Sequence, residues 1–81
     1  MKRVAVAIWD HNNDGWFVRL ERGDNAPLDS LPPCIAGYDE DESDDEILKL
    51  IDITIGWEYG GDTSLWQKGI QRDGEHEPTW L

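Results

Sequence analysis

The sequence is poor in cysteine and in basic residues, and both shortages limit what the protein can do. Cys34 is the only cysteine among 81 residues, so an internal disulfide is impossible and a reducing cytosol is the compartment that fits. Lys and Arg number 7 against 18 Asp and Glu, which gives a formal net charge of −11. Direct binding to nucleic acid or to an anionic membrane is disfavoured, because both need cationic side chains.

Long apolar runs and catalytic motifs are also missing. The apolar stretch 4–9 is far shorter than a signal or membrane-spanning segment, so we expect a protein that stays in the cytosol of the cell that makes it. His11, His76 and Cys34 lack the paired spacing of zinc ligands. The sequence contains no Gly-x-Ser-x-Gly nucleophile turn and no phosphate-binding glycine loop. We therefore predict neither an enzyme nor a cofactor.

The N-terminal residues have the pattern of a β-hairpin. Segments 3–9 and 16–22 are rich in β-branched and aromatic residues, and the Asn, Asp and Gly between them suit a hairpin loop. Segment 23–33 is broken by Gly and Pro and predicts a loop, after which residues 34–36 fit a short third strand.

A helix is predicted over residues 44–55. Ser43 and Glu46 have the spacing of a capping box, and acidic residues fill the first turn, where the helix dipole favours them. Gly56 is the expected stop. The alternation of isoleucines over 51–55 leaves a strand as the alternative there. The apolar stripe of the helix would be Ile47, Leu50, Ile51 and Ile55.

The C-terminal segment predicts two more strands, 65–71 and 76–80, joined by a turn at 72–75. The expected architecture is a single α+β domain spanning residues 1–81. It consists of a small antiparallel sheet, built from the hairpin and the C-terminal strands, packed against the one helix. Of the five Trp, most should lie in the core, and Trp80 near the C-terminus is the candidate exposed aromatic.

The residues Asp10, Asn12, Asp14 and Glu21 match the spacing of an EF-hand calcium loop. An EF-hand needs a helix on each side, whereas these flanks predict strands, and Val18 offers no side-chain oxygen. We therefore favour a plain hairpin turn without a metal, and a small calcium-binding module at 10–21 is the weaker alternative.

An acidic run at 39–46 dominates the middle of the chain, where seven of eight residues are carboxylates and no Lys or Arg occurs from Gly23 to Leu48. One interpretation is a solvated linker and helix start. The other is a mimic of nucleic acid, which carries one negative charge per about 1.7 Å of duplex. Asp24 and Asp29 would extend the mimic. Its main residues would be Asp39, Glu40, Asp41, Glu42, Asp44, Asp45 and Glu46.

Two resemblances point to function. In size, acidity and lone cysteine the chain resembles small phage-encoded anti-CRISPR proteins, which evade host defence by blocking a Cas complex. Over about residues 1–55, the hairpin, the turn Asp29-Ser30-Leu31-Pro32-Pro33-Cys34 and the acidic helix start are similar to HicB-like antitoxins, although Pro33 stands where those have glycine.

The leading hypothesis is a non-enzymatic inhibitor that binds a basic nucleic-acid-binding protein, such as a subunit of a Cas effector, through its acidic surface. No direct contact with nucleic acid or membrane is expected, and a homodimer is left open. The alternative is a HicB-like antitoxin that masks a toxin, in which apolar contacts such as Trp80 would matter more.

Overall fold

A four-stranded sheet and one helix make up the part of the protein that the structure, a computed structural model, describes, which is residues 3–21, 37–60 and 63–81. The elements are β1 (Arg3–Asp10), β2 (Gly15–Glu21), α1 (Asp44–Glu58), a 3-10 turn (Thr63–Leu65), β3 (Trp66–Gln71) and β4 (Thr79–Trp80). The strand order is β2-β1-β3-β4. The α+β class and the N-terminal hairpin are confirmed, whereas the predicted strand at 34–36 lies outside the described residues.

The sheet is mixed, so the prediction of a purely antiparallel sheet is wrong for one pairing. β1 pairs antiparallel with β2 and parallel with β3. The helix explains the parallel pair. The loop before it lies against Trp16 near the hairpin turn. Tyr59 after it packs against Trp66 at the other end of the sheet, with ring centroids 5.2 Å apart. The chain therefore enters β3 beside the start of β1 and runs in the same direction.

The helix starts where predicted and ends later. Ser43 Oγ accepts a hydrogen bond from the amide of Glu46 at 3.3 Å, but the Glu46 carboxylate turns to Lys49 instead of returning to Ser43, so only half of the capping box forms. Gly56 does not stop the helix. Gly60 follows the C-cap with φ of +69°, a left-handed conformation that suits glycine. The alternative strand is wrong, since residues 51–55 are all helical.

The core lies between α1 and one face of the sheet. The four predicted helix residues are buried, and two small residues of β1, Ala5 and Ala7, are fully buried beneath them. Trp16 and Trp66 supply the aromatic part of the core, whereas Trp57 is 86% exposed, against the expectation for most Trp. Within the described ranges, no helix has the length and apolar character needed to cross a bilayer.

The predicted C-terminal hairpin forms, but its second strand is shorter than predicted. The amide of Glu75 donates to the carbonyl of Arg72 at 3.1 Å and closes the predicted turn. Thr79 and Trp80 pair with β3, and the amide of Leu81 donates to the carbonyl of Lys68 at 2.9 Å. The predicted strand 76–80 is therefore reduced to Thr79–Trp80. The Trp80 ring lies directly over Gly69, on the side of the sheet away from the helix.

Two glycines should respond oppositely to alanine. A Cβ at Gly56 meets nothing within 4 Å, so Gly56→Ala should stabilise the helix by about 0.5–1 kcal/mol. A Cβ at Gly69 would lie 2.8 Å from the Trp80 ring, so Gly69→Ala should destabilise the domain by about 1–3 kcal/mol. Urea unfolding of both variants measures the difference. Equal effects at the two positions would contradict this account of Trp80.

Candidate acidic interface

The acidic run begins in a loop, residues 37–43, that is tied to the hairpin by its main chain. Trp16, fully buried in β2, donates its indole Nε1–H to the carbonyl of Asp39 at 2.8 Å. Tyr38 packs against the core beside it. The hydrogen bond fixes the loop next to the hairpin turn and leaves the Asp39 carboxylate outside.

Arg72, just after β3, holds the rest of this loop. Its guanidinium donates to the carbonyls of Glu40 at 3.1 Å and Glu42 at 2.8 Å, and to Asp44 Oδ1 at 2.8 Å. It also lies over the Trp16 ring, 5.8 Å from the centroid. One planar side chain with several donors thus fastens the loop and the helix start to the end of β3.

The acidic side chains are left free because the loop is held through its carbonyls. Asp39, Glu40 and Asp41 are exposed and Glu42 is half-buried, and none of the four has an ion pair among the described residues. Asp44 pairs with Arg72, and Glu46 lies 3.3 Å from Lys49. Asp45 is exposed. The run therefore divides at Ser43 into free loop charge and partly neutralised helix charge.

A groove separates this loop from the hairpin turn. It has a volume of about 410 Å³ and is open to solvent. Trp9 and Tyr38 are its half-buried aromatic side chains, and Trp9 is held edge-on to Trp16 at 5.5 Å between ring centroids. The polar lining comes from both sides, namely His11 and Asp14 of the hairpin turn and Asp39, Glu40 and Asp41 of the loop.

The calcium-like pattern is folded as a hairpin turn. The Asp10 carboxylate accepts hydrogen bonds from the Asn13 side chain at 2.7 Å and from the Asn12 amide at 3.0 Å, and the bond from Asn13 is the main cause that lowers the pKa of Asp10. Glu21 pairs with Arg19 at 3.1 Å, at the far end of β2. That end is about 20 Å from the turn at ~3.3 Å per residue. The residues of the pattern are therefore not brought together.

No cluster of three or more His, Cys, Asp or Glu side chains in the described ranges has an arrangement that could hold a metal ion.

The other predicted binding residues are not joined to the acidic loop. Trp80 is 46% exposed, but it lies over Gly69 on the face of the sheet opposite the helix. Its place is therefore separate from the acidic run. Asp24 and Asp29, like the segment that resembles a HicB turn, lie outside the described residues.

The sequence does not indicate four residues that hold the acidic loop or line the groove beside it. The sequence patterns place Trp9 and Trp16 only in strands and Arg72 only in a turn, and they give Tyr38 no role. Their roles depend on contacts between positions far apart in the chain, such as the contact of Arg72 with Asp44, 28 positions away. The sequence holds a weak indication for Arg72, because it is one of only seven basic residues. It is also the only one of these seven beside the acidic residues Asp73, Glu75 and Glu77.

Comparison of the chain with protein-family models, with curated proteins and with solved structures finds no match in any of the three.

Proposed function

We propose that this protein is a non-enzymatic inhibitor that binds a basic nucleic-acid-binding protein and occludes its DNA or RNA site. One observation carries the proposal. The loop 39–42 is fastened through its main chain by Trp16 and Arg72, while its four carboxylates have no described ion pair. A surface of this kind presents negative charge in a fixed arrangement, as a nucleic-acid backbone does.

Two physical features favour a basic protein as the partner. The net charge of −11 raises the rate of encounter with a positively charged surface, in a salt-dependent way. The tethers also order the loop before binding, which reduces the entropy lost on association. The candidate partner is the DNA- or RNA-binding subunit of a Cas effector, where the acidic loop would take the place of phosphates.

Neutralising the loop tests the proposal. The variant D39N/E40Q/D41N/E42Q is expected to lose inhibition by at least about 100-fold, because each charge in a close interfacial pair contributes on the order of 1.5 kcal/mol or more. The assay is binding of purified Cas effector complexes to their target DNA in a mobility shift, with the inhibitor titrated at about 50 and 300 mM salt. Inhibition by the native protein should weaken steeply at the higher salt.

The matched control removes the same number of charges elsewhere. E21Q/E58Q/D73N/E77Q alters four exposed acids outside the run, so its net charge equals that of the loop variant. It should retain most of the inhibition. If both variants lose inhibition equally, the acidic loop is only part of a general charge effect. If no effector is inhibited by the native protein, a Cas partner is ruled out.

The antitoxin alternative is favoured by a different surface. Ile53 and Trp57 lie one turn apart on α1 and are 54% and 86% exposed, a pair of apolar side chains that a toxin could cover. Binding that depends little on salt and is lost in Trp57→Ala or Trp80→Ala would support this alternative over the acidic loop.

A further inference from the structure

We infer that the groove between the hairpin turn and the acidic loop receives an arginine side chain of the basic partner. The inference rests on the proposed function and assigns the acidic surface a specific anchor point. The groove is lined by two separate segments of the chain, residues 9–14 and 38–41.

The aromatic side chains of the groove suit a flat cation. Trp9 and Tyr38 are half-buried and packed against the core, so they are ordered before anything binds. Trp9 is further fixed by its edge-on contact with the buried Trp16. A guanidinium stacks on aromatic rings and keeps its N–H groups free at its edges.

The rim of the groove supplies the acceptors that such N–H groups need. Asp14 stands on the hairpin side, with φ of 48° in the turn, and Asp39, Glu40 and Asp41 stand on the loop side. None of these carboxylates has an ion pair among the described residues, and the one nearby imidazole, His11, lies 3.7 Å from Asp73 instead. Four like charges around one opening are complementary to a cation, and carboxylates form bidentate hydrogen bonds with arginine.

Arginine fits better than a metal ion or a lysine. No three acidic side chains of the groove are close enough together to bind a metal ion, as found for all the described residues. A lysine ammonium is compact and strongly hydrated, so it gains less from the aromatic rings. Arginine also binds phosphates in nucleic-acid-binding proteins. An arginine bound in this groove could no longer contact the phosphates of DNA or RNA.

The experiment is a titration followed by NMR. N-acetyl-arginine-N-methylamide and its lysine counterpart are added separately to the protein at low salt, and the signals of the Trp9 indole N–H and the Tyr38 ring are recorded. We expect the arginine compound to shift both signals and to bind roughly two- to five-fold more tightly than the lysine compound, the size of an exposed cation–π contact. Tyr38→Leu should reduce this preference to near unity.

Tyr59→Leu is the matched control, because Tyr59 is an aromatic residue at the opposite end of α1, where its ring packs against Trp66. It should leave the preference unchanged. Equal binding of the two compounds to the native protein, or shifts located away from Trp9 and Tyr38, would overturn the groove as an arginine site.

The two proposals fail separately. Inhibition that needs the loop carboxylates, with no preference for arginine, leaves the proposed function standing and removes the groove. A preference for arginine, with inhibition unaffected by D39N/E40Q/D41N/E42Q, shows that the groove binds arginine but removes both the proposed role of the loop and the groove as the anchor point of a partner.

Discussion

Replacing Arg72 with alanine is expected to release the acidic loop from the domain and, under the proposed function, to weaken binding of the basic partner by about tenfold or more. The guanidinium supplies three hydrogen bonds to the loop and helix start, at Glu40, Glu42 and Asp44. Without it the loop would have to be ordered on binding, at a cost of roughly 0.5–1.5 kcal/mol for each side chain that becomes immobilised. The stability of the domain should fall by only about 1–3 kcal/mol, since these contacts are partly exposed.

Two measurements separate the effect on order from the effect on charge. Hydrogen exchange of the amides at 39–42 should accelerate in Arg72→Ala, and inhibition should weaken in the same variant. Arg72→Lys keeps the charge but lacks the planar guanidinium. Its exchange rate and its inhibition should therefore lie between those of the native protein and those of Arg72→Ala. Arg19→Ala is the control, because it removes an equal charge from an exposed side chain that pairs with Glu21. If Arg19→Ala weakens inhibition as much as Arg72→Ala, the tether has no special role.

Trp16→Ala should destabilise the domain by about 3–5 kcal/mol, which is a large share of the 5–15 kcal/mol available to a small domain. Trp16 is fully buried, and its ring contacts both the Trp9 ring and the Arg72 guanidinium. Its indole N–H also holds the loop through the carbonyl of Asp39. Trp16→Phe keeps most of the packing and loses the indole hydrogen bond, so about 1–2 kcal/mol is expected. Urea unfolding followed by circular dichroism measures both values.

Trp57→Ala is the comparison for Trp16. Its side chain is 86% exposed, so a change within about 0.5 kcal/mol is expected despite the same substitution. A loss at Trp57 as large as the loss at Trp16 would mean that the exposed helix face is covered, for example by a second copy of the chain.

The position of the acidic residues along the chain is largely predictable from the sequence. The contacts that hold them in the fold are not. Ser43 marks the start of α1 because its hydroxyl satisfies a free amide there, which is a local interaction. The division of the run into 39–42 and 44–46 follows from that same residue. The ion pairs of Asp44 and Glu46 differ in this respect. Lys49 is three residues from Glu46 and could be anticipated, whereas Arg72 lies just after β3, 28 positions from Asp44.

The later helix end shows why a local rule can fail. Gly56 was expected to stop the helix because glycine often follows a C-terminus. The helix continues because Ile55 remains in the core and its carbonyl accepts the amides of both Tyr59 and Gly60. Gly60 then takes the positive φ that a helix ending requires. Trp57 is exposed for the same reason, since the extra turn carries it onto the outer face.

The sequence by itself determined the hairpin, the start and buried stripe of the helix, the turn at 72–75 and the acidic run, because each depends on residues within a few positions of one another. Only the tertiary structure decided the parallel pairing of β1 with β3, the hold of Trp16 and Arg72 on the loop, and the groove beside Trp9 and Tyr38. Those features join segments separated by 20 residues or more, for example Trp16 with Asp39. Neither charge nor periodicity encodes which distant groups meet, because that is settled by how the helix packs across the sheet.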